Sequence, residues 1–156
     1  MIYDDVITDP TFPPLLTGEK VAKDVDPFIK AVSASMLGCD PGTVFYAEDS
    51  ETLRAAITLA PELSLNESVS VIHALMLSLA DSLGALGPPE LAVHFVWPCH
   101  FKINAARCGD MRLKASTNNG DEIPDWLVIG LTLPFVRPDT IEPGSDPSQT
   151  WLHEEG

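Results

Sequence analysis

One long helical pattern set among strands narrows the possible folds more than any other feature. In "SLNESVSVIHALMLSLADSLGALG", Ser64 and Glu67 have capping-box spacing. Apolar residues recur at Val69, Ile72, Leu75, Met76, Leu79 and Leu83, which makes one buried stripe. Gly84 or Gly87 ends the pattern ahead of Pro88-Pro89. Such a helix needs a partner layer to cover its stripe, and the flanking segments supply strands.

Upstream, "DPFIKAVSASMLG" reads as a short helix with Asp26 as N-cap, Pro27 at the first helical position and Gly38 at the end. "GTVFYAE" and "TLRAAITLA" read as strands joined by the acidic turn "EDSE". Downstream come three strand patterns with tight connections: "ELAVHFVW", "HFKINAA" and "RCGDMRLKA". Leu91, Val93, Phe95 and Trp97 share one face of the first, with Ala92, His94 and Val96 on the other. "WLVIGLTL" is apolar on both faces, which predicts a central strand. "TNNGDEIPD" reads as a loop and "PFVRPDTIEPGSDPSQ" as irregular structure. The order predicts an α+β fold with a mixed, largely antiparallel sheet packed against helices. Residues 1–25, with Pro10, Pro13 and Pro14, read as an extended N-terminal arm, and residues 26–156 as one domain.

The net charge of -14, from 23 acidic and 9 basic residues, argues against nucleic acid and anionic membranes as partners. No apolar run reads as long enough to span a bilayer, and the N-terminus lacks the basic start of a signal peptide. A cytoplasmic protein is expected. Three cysteines do not suggest a disulfide framework.

Chemistry concentrates in "VHFVWPCHFKINAARCGDMRL", residues 93–113. Cys99, His100 and Cys108 match no standard zinc spacing, so no metal is expected. Cys99 and His100 are neighbours whose side chains point apart on a strand. Cys108 across a hairpin from His100 is the remaining nucleophile pair, without an orienting third group. Arg107 reads as a surface arginine three residues from Asp110, with which it can pair. His73 reads as a core or boundary residue, and Trp97 and Trp126 as core packing.

A long helix, a strand ending in Trp-Pro, a hairpin and a "VIG" strand, in that order, resemble the catalytic domain of biotin/lipoate protein ligases, a family that includes octanoyl transferases. The resemblance runs from Asp26 to Glu155 and is to a divergent bacterial branch of unassigned role. The family's ligases carry Trp-Pro-Asn-Asp and then, after a short hairpin, Lys-x-(Gly/Ala)-Gly. Here Trp97-Pro98-Cys99-His100 and Arg107-Cys108-Gly109-Asp110 stand at those places. The resemblance implies that Arg107 takes the catalytic lysine's place. It also implies that Trp97, Pro98, Cys99, His100, Gly109 and Asp110 border the ligand, and that biotin, lipoate or ATP are the cofactors to consider.

Departures from the pattern then limit the chemistry. "EDSETLR" replaces the Gly/Arg-rich loop that closes over the adenylate, and its three carboxylates oppose a triphosphate, so ATP is not expected. No cysteine accompanies Pro143-Gly144, where the transferases carry their nucleophile. "QTWLHEE" resembles the start of the family's closing helix, and the domain is expected to be C-terminally incomplete relative to the family. The expectation is a non-catalytic or strongly divergent relative. It would bind a small acyl or carboxylate ligand, or an acceptor protein, in a remnant cleft. The alternatives are an active biotinyl, lipoyl or octanoyl ligase or transferase with altered residues, and a self-associating module forming homo-oligomers.

Overall fold

The structure, a computed structural model, describes residues 9–155; residues 1–8 of the segment read as an arm, and Gly156, lie outside them. The elements are β1 (Thr17–Val21), α1 (Pro27–Met36), β2 (Thr43–Ala47), β3 (Thr52–Leu59), α2 (Leu65–Ser68), α3 (Val71–Leu86), β4 (Val93–Val96), β5 (His100–Ile103), β6 (Ala106–Ala115) and β7 (Leu127–Pro134). Seven strands form one sheet in the order β1-β2-β3-β7-β6-β5-β4. The β1–β2 pair is parallel and the other pairs are antiparallel. Thr17–Val21, within the stretch read as an arm, is thus hydrogen-bonded into the sheet.

β7 is central because it is apolar on both faces. Leu127 and Ile129 enter the core on one side of the sheet and Val128 on the other. α1 covers the Val128 face, packing on Phe45, Ala47 and Ala56. The Asp26 carboxylate accepts a hydrogen bond from the Phe28 N–H at 2.9 Å, capping the helix, and Pro27 begins it. Gly38, at φ 85°, ends the helix in the left-handed region.

α3 covers the opposite face, burying Ile72 and Met76 against Phe101, Met111, Leu127 and Ile129. The helix expected as one run from Ser64 is interrupted. The N–H groups of Ser70, Ile72 and His73 bond three residues back, to Glu67, Val69 and Ser70, so the turn between α2 and α3 is tightened. The Ser70 hydroxyl donates to Glu67 O at 2.7 Å, a local bond that competes with regular helix. The Ser64 hydroxyl donates to the Glu67 carboxylate and makes no bond to a backbone N–H, so the capping box is not closed as its spacing suggests. The expectation that no run could span a bilayer needs correcting: by length and mean hydropathy (1.6), Leu65–Leu86 is long and apolar enough. In this fold the stretch lies along the sheet.

The β4–β5–β6 meander carries the unusual residues. A cis Trp97-Pro98 bond lies between β4 and β5. Asn104 (φ 48°) and Ala105 (φ 75°) make the two-residue turn into β6, the positive-φ pair that suits a tight hairpin. Register then slips, since His100 faces Asp110 while Lys102 faces Arg107. Two residues on β5 therefore span three on β6, which is a β-bulge.

Candidate functional site

β5 begins at His100, so β6 outruns it. Beyond the bond from Met111 N–H to Cys99 O, at 2.7 Å, the β5 side of β6 has no strand partner among the described residues. A hollow of about 720 Å³ opens at this edge. Val69, Ile72 and His73 form its helical wall, Phe28 of α1 closes the other side, and Pro98 and Cys99 form one end. Met111 to Lys114 run along its base. By register, Met111 and Leu113 share the α3 face of the sheet with Leu131 and Ile129, while Arg112 and Lys114 share the α1 face with Gly130 and Val128.

The hollow is apolar apart from His73 and these two cations. Arg112 is held in place: its Nη2 lies 2.9 Å from Asp26 Oδ1, and its guanidinium stands 4.4 Å over the Phe28 ring. Asp26 thus caps α1 and anchors Arg112 with the same oxygen. Phe28 can lie flat here because residue 130 is glycine; a Cβ there would come within 2.6 Å of the Phe28 ring. Lys114 is exposed and makes no ion pair among the described residues. An apolar volume with one oriented guanidinium and one free ammonium at its mouth suits a molecule with an apolar body and a carboxylate.

The residues singled out in the sequence divide between this hollow and a second cluster. Pro98 and Cys99 line the hollow. Trp97 is 59% exposed, which corrects its reading as core; its ring meets His73 edge-on at 4.5 Å and Phe95 at 6.0 Å. Arg107, His100 and Asp110 form the other cluster. Arg107 Nη2 lies 3.1 Å from His100 Nδ1 and 3.8 Å from Asp110 Oδ2. Residues three apart on a regular strand face opposite ways; the bulge brings Arg107 and Asp110 together. Gly109 supplies that bulge. Its φ is 115°, and a Cβ would lie 2.6 Å from Thr132 O, so the glycine fits against the backbone of β7.

The bulge also turns Cys108 into the core, with no exposed surface, so the possible Cys108–His100 pair is not formed. Burial, with a smaller contribution from the Glu155 carboxylate, pushes its thiol from 9.0 up to about 11. Cys108 is therefore a protonated core residue at neutral pH. The "EDSE" turn also departs from a simple solvated loop. The Asp49 side chain is only 8% exposed and lies 3.4 Å from both Lys23 Nζ and Arg54 Nη2. Its carboxyl is held below the usual range, chiefly by the Glu51 N–H and then by Lys23 and Arg54. Lys23 and Arg54 are thereby engaged by Asp49, and Lys20 pairs with Glu48 of the same turn. The last residues clamp the hairpin: Thr150 N–H donates to Arg107 O, Arg107 N–H donates to Ser148 O, and Glu155 accepts from Asn104 and Thr150.

Phe28, Arg112 and Lys114 went unmarked in the sequence. They lie outside Trp97–His100 and Arg107–Asp110, and Phe28 is 84 positions before Arg112. The one available signal was Asp26, read as a cap only.

Residues 12–156 match the biotin/lipoate A/B protein ligase family. A search of the curated proteins finds no match. Among solved structures, the chain is similar to a biotin protein ligase-like protein of unknown function from Silicibacter sp. TM1040. Identity is 44% and the TM-score 0.85, over 94% of this chain and 63% of that one. It also resembles apo biotin protein ligase from Aquifex aeolicus (17% identity, TM-score 0.66, 89% and 59% of the two chains) and the Leishmania major biotin protein ligase in complex with biotin (15%, 0.56, 92% and 64%). The last two share the fold. The chain spans less than two thirds of the length of each of these three proteins.

Proposed function

We propose a function from one premise, that the chain belongs to the biotin/lipoate A/B protein ligase family. The protein is a ligand-binding relative that holds a small acyl carboxylate without activating it. The apolar body lies in the hollow between α1, α3 and the open edge of β6, against Ile72, Cys99, Met111 and Leu113. Arg112 takes the carboxylate, and Lys114 neutralises it from the rim. The observation that carries this reading is the hollow itself, about 720 Å³ of apolar space with an oriented guanidinium at its mouth in a chain of net charge -14. The acidic turn disfavours a bound triphosphate, because Asp49 occupies Lys23 and Arg54 there.

Calorimetric titration with octanoate, lipoate and biotin tests the proposal. At least one should bind without ATP, and Arg112→Ala should weaken it about tenfold or more, the scale of one charge-assisted contact. Cys99 lines the same hollow, so a bound ligand should slow its alkylation. If none of the three binds and Cys99 labels at an unchanged rate, the hollow is not their site.

A second reading, an active ligase or transferase, draws on the Arg107–His100–Asp110 cluster at the family's motif positions. The mark of a ligase is pyrophosphate release on adding ATP and one of these acids, and that of a transferase is acyl transfer from a thioester donor without ATP, either lost in Arg107→Ala but not in Arg112→Lys.

A further inference from the structure

α3 turns an unusual face to the outside. Only Ile72 and Met76 of its sixteen residues are buried. Ser70, Ala74, Leu77, Asp81 and Gly84 are all exposed, and their spacings of four, three, four and three keep them on one seam of the helix. Leu77, at the centre of that seam, is 56% exposed. His73 and Asp81 are the only ionisable side chains in α3. With one anion in sixteen residues, α3 lets two copies of a chain of net charge -14 meet with little repulsion.

We propose that α3 is the contact surface between two copies of this chain, packed antiparallel about a twofold axis at Leu77. A twofold contact must be self-complementary, and the charge pattern of α3 meets that demand. His73, Leu77 and Asp81 are spaced by four, so they form one ridge. Reversing that ridge about Leu77 sets Asp81 of each copy beside His73 of the other. The single anionic group of the helix thus finds the single imidazole, twice. Ser70 meets Gly84, and Ala74 and Ser78 add little bulk, so the backbones can approach closely. Antiparallel helices also set their dipoles head to tail.

His73 is half-buried, with its ring edge-on to Trp97 at 4.5 Å. Trp97 (59% exposed) and Val96 (38% exposed) continue the apolar surface beyond the helix. α3 alone is about 24 Å long at 1.5 Å per residue, and a standard interface removes about 800 Å² per partner. One helix face supplies less than that, so the dimer should be weak and concentration-dependent, with a dissociation constant of roughly micromolar order. The proposal does not need a ligand in the hollow: Leu77 and Asp81 lie outside it, and His73 stands at its wall.

The test uses the full chain in sedimentation velocity over roughly 5 to 500 µM, a range that brackets such a constant. A monomer–dimer equilibrium is expected, weakened about tenfold or more by Leu77→Glu, with unchanged circular dichroism because the position is exposed. Asp81→Lys separates specific pairing from general charge. It lowers the net negative charge, so generic repulsion alone would make the dimer tighter, whereas loss of the His73 pairing makes it weaker. Leu77→Cys should give a disulfide-linked dimer on mild oxidation, above the background from Cys39, Cys99 and Cys108. A chain that stays monomeric throughout overturns the proposal. So does a dimer that survives Leu77→Glu, or one that tightens with Asp81→Lys.

Discussion

α1 and α3 cover opposite faces of one sheet, and they are held in different ways. α1 has ten residues, and its N-terminal end is fixed by specific contacts. Asp26 caps it and binds Arg112, and Phe28 lies on Gly130. The sheet beneath it offers small residues such as Ala47, Ala56 and Gly130, so the helix can come close. α3 is longer and more apolar, yet it rests on large side chains, Phe101 and Met111 among them. Hollows remain on its flanks. One of about 310 Å³ lies beside Phe12 and Leu16, and one of about 400 Å³ lies near Leu91, Phe135 and Leu152. The lesson is that apolar content does not by itself bury a helix. Shape match with the surface below decides how much of it is covered.

The sharpest break of this comparison is on α3 itself. Met76→Ala, at a fully buried position, should lower unfolding stability by about 2–5 kcal/mol, while the adjacent Leu77→Ala should stay within about 0.5 kcal/mol. Urea denaturation in dilute solution measures both, and equal losses would mean that α3 is covered all round.

Glycines give the next contrast. Gly130→Ala forces Phe28 aside and should cost about 1–3 kcal/mol. Gly84→Ala in α3 meets nothing within 4 Å and should stabilise by up to about 1 kcal/mol. Thermal unfolding of the two variants should shift in opposite directions.

Cys108, under the same sheet face as α3, yields a pH effect. Its folded pKa is raised from 9.0 to about 11, so the unfolded thiol ionises first as pH rises. The stability this group contributes is intact below pH 9 and falls between about 9 and 11, by about 2 kcal/mol. Alkaline denaturation of Cys108→Ser, compared with the unchanged chain, isolates that loss. At pH 8 a maleimide should label Cys99 well before Cys108.

The smallest expected effect concerns the caps. Asp26→Ala should cost about 1 kcal/mol, because its carboxylate bonds the Phe28 N–H. Ser64→Ala should change little, because the Ser64 hydroxyl bonds only the Glu67 side chain. A comparable loss at both positions, read by chemical denaturation, would show that the second cap closes in solution.

Much of the architecture was legible because it rests on local rules. The cap at Asp26-Pro27 and the stop at Gly38 bounded α1. The two-faced apolar run "WLVIGLTL" marked the central strand. The order of helix, Trp-Pro strand, hairpin and "VIG" strand was enough to indicate the family, whose match begins at residue 12. The site was less legible. Pro98 and Cys99 do reach the hollow, but Arg107 and Asp110 turn toward each other.

The sequence by itself determined where α1, most of α3 and the strands after α1 lie, and that β7 is apolar on both faces, because periodicity and capping depend on neighbours along the chain. Only the tertiary structure decided the site. It placed Phe28 against Arg112, used Gly109 for a bulge, buried Cys108 and left Leu77 outside, because those outcomes depend on contacts between distant segments and on register. One extra residue in β6 changed which of its side chains meet β5 between His100 and Lys102, and no local pattern records such a slip.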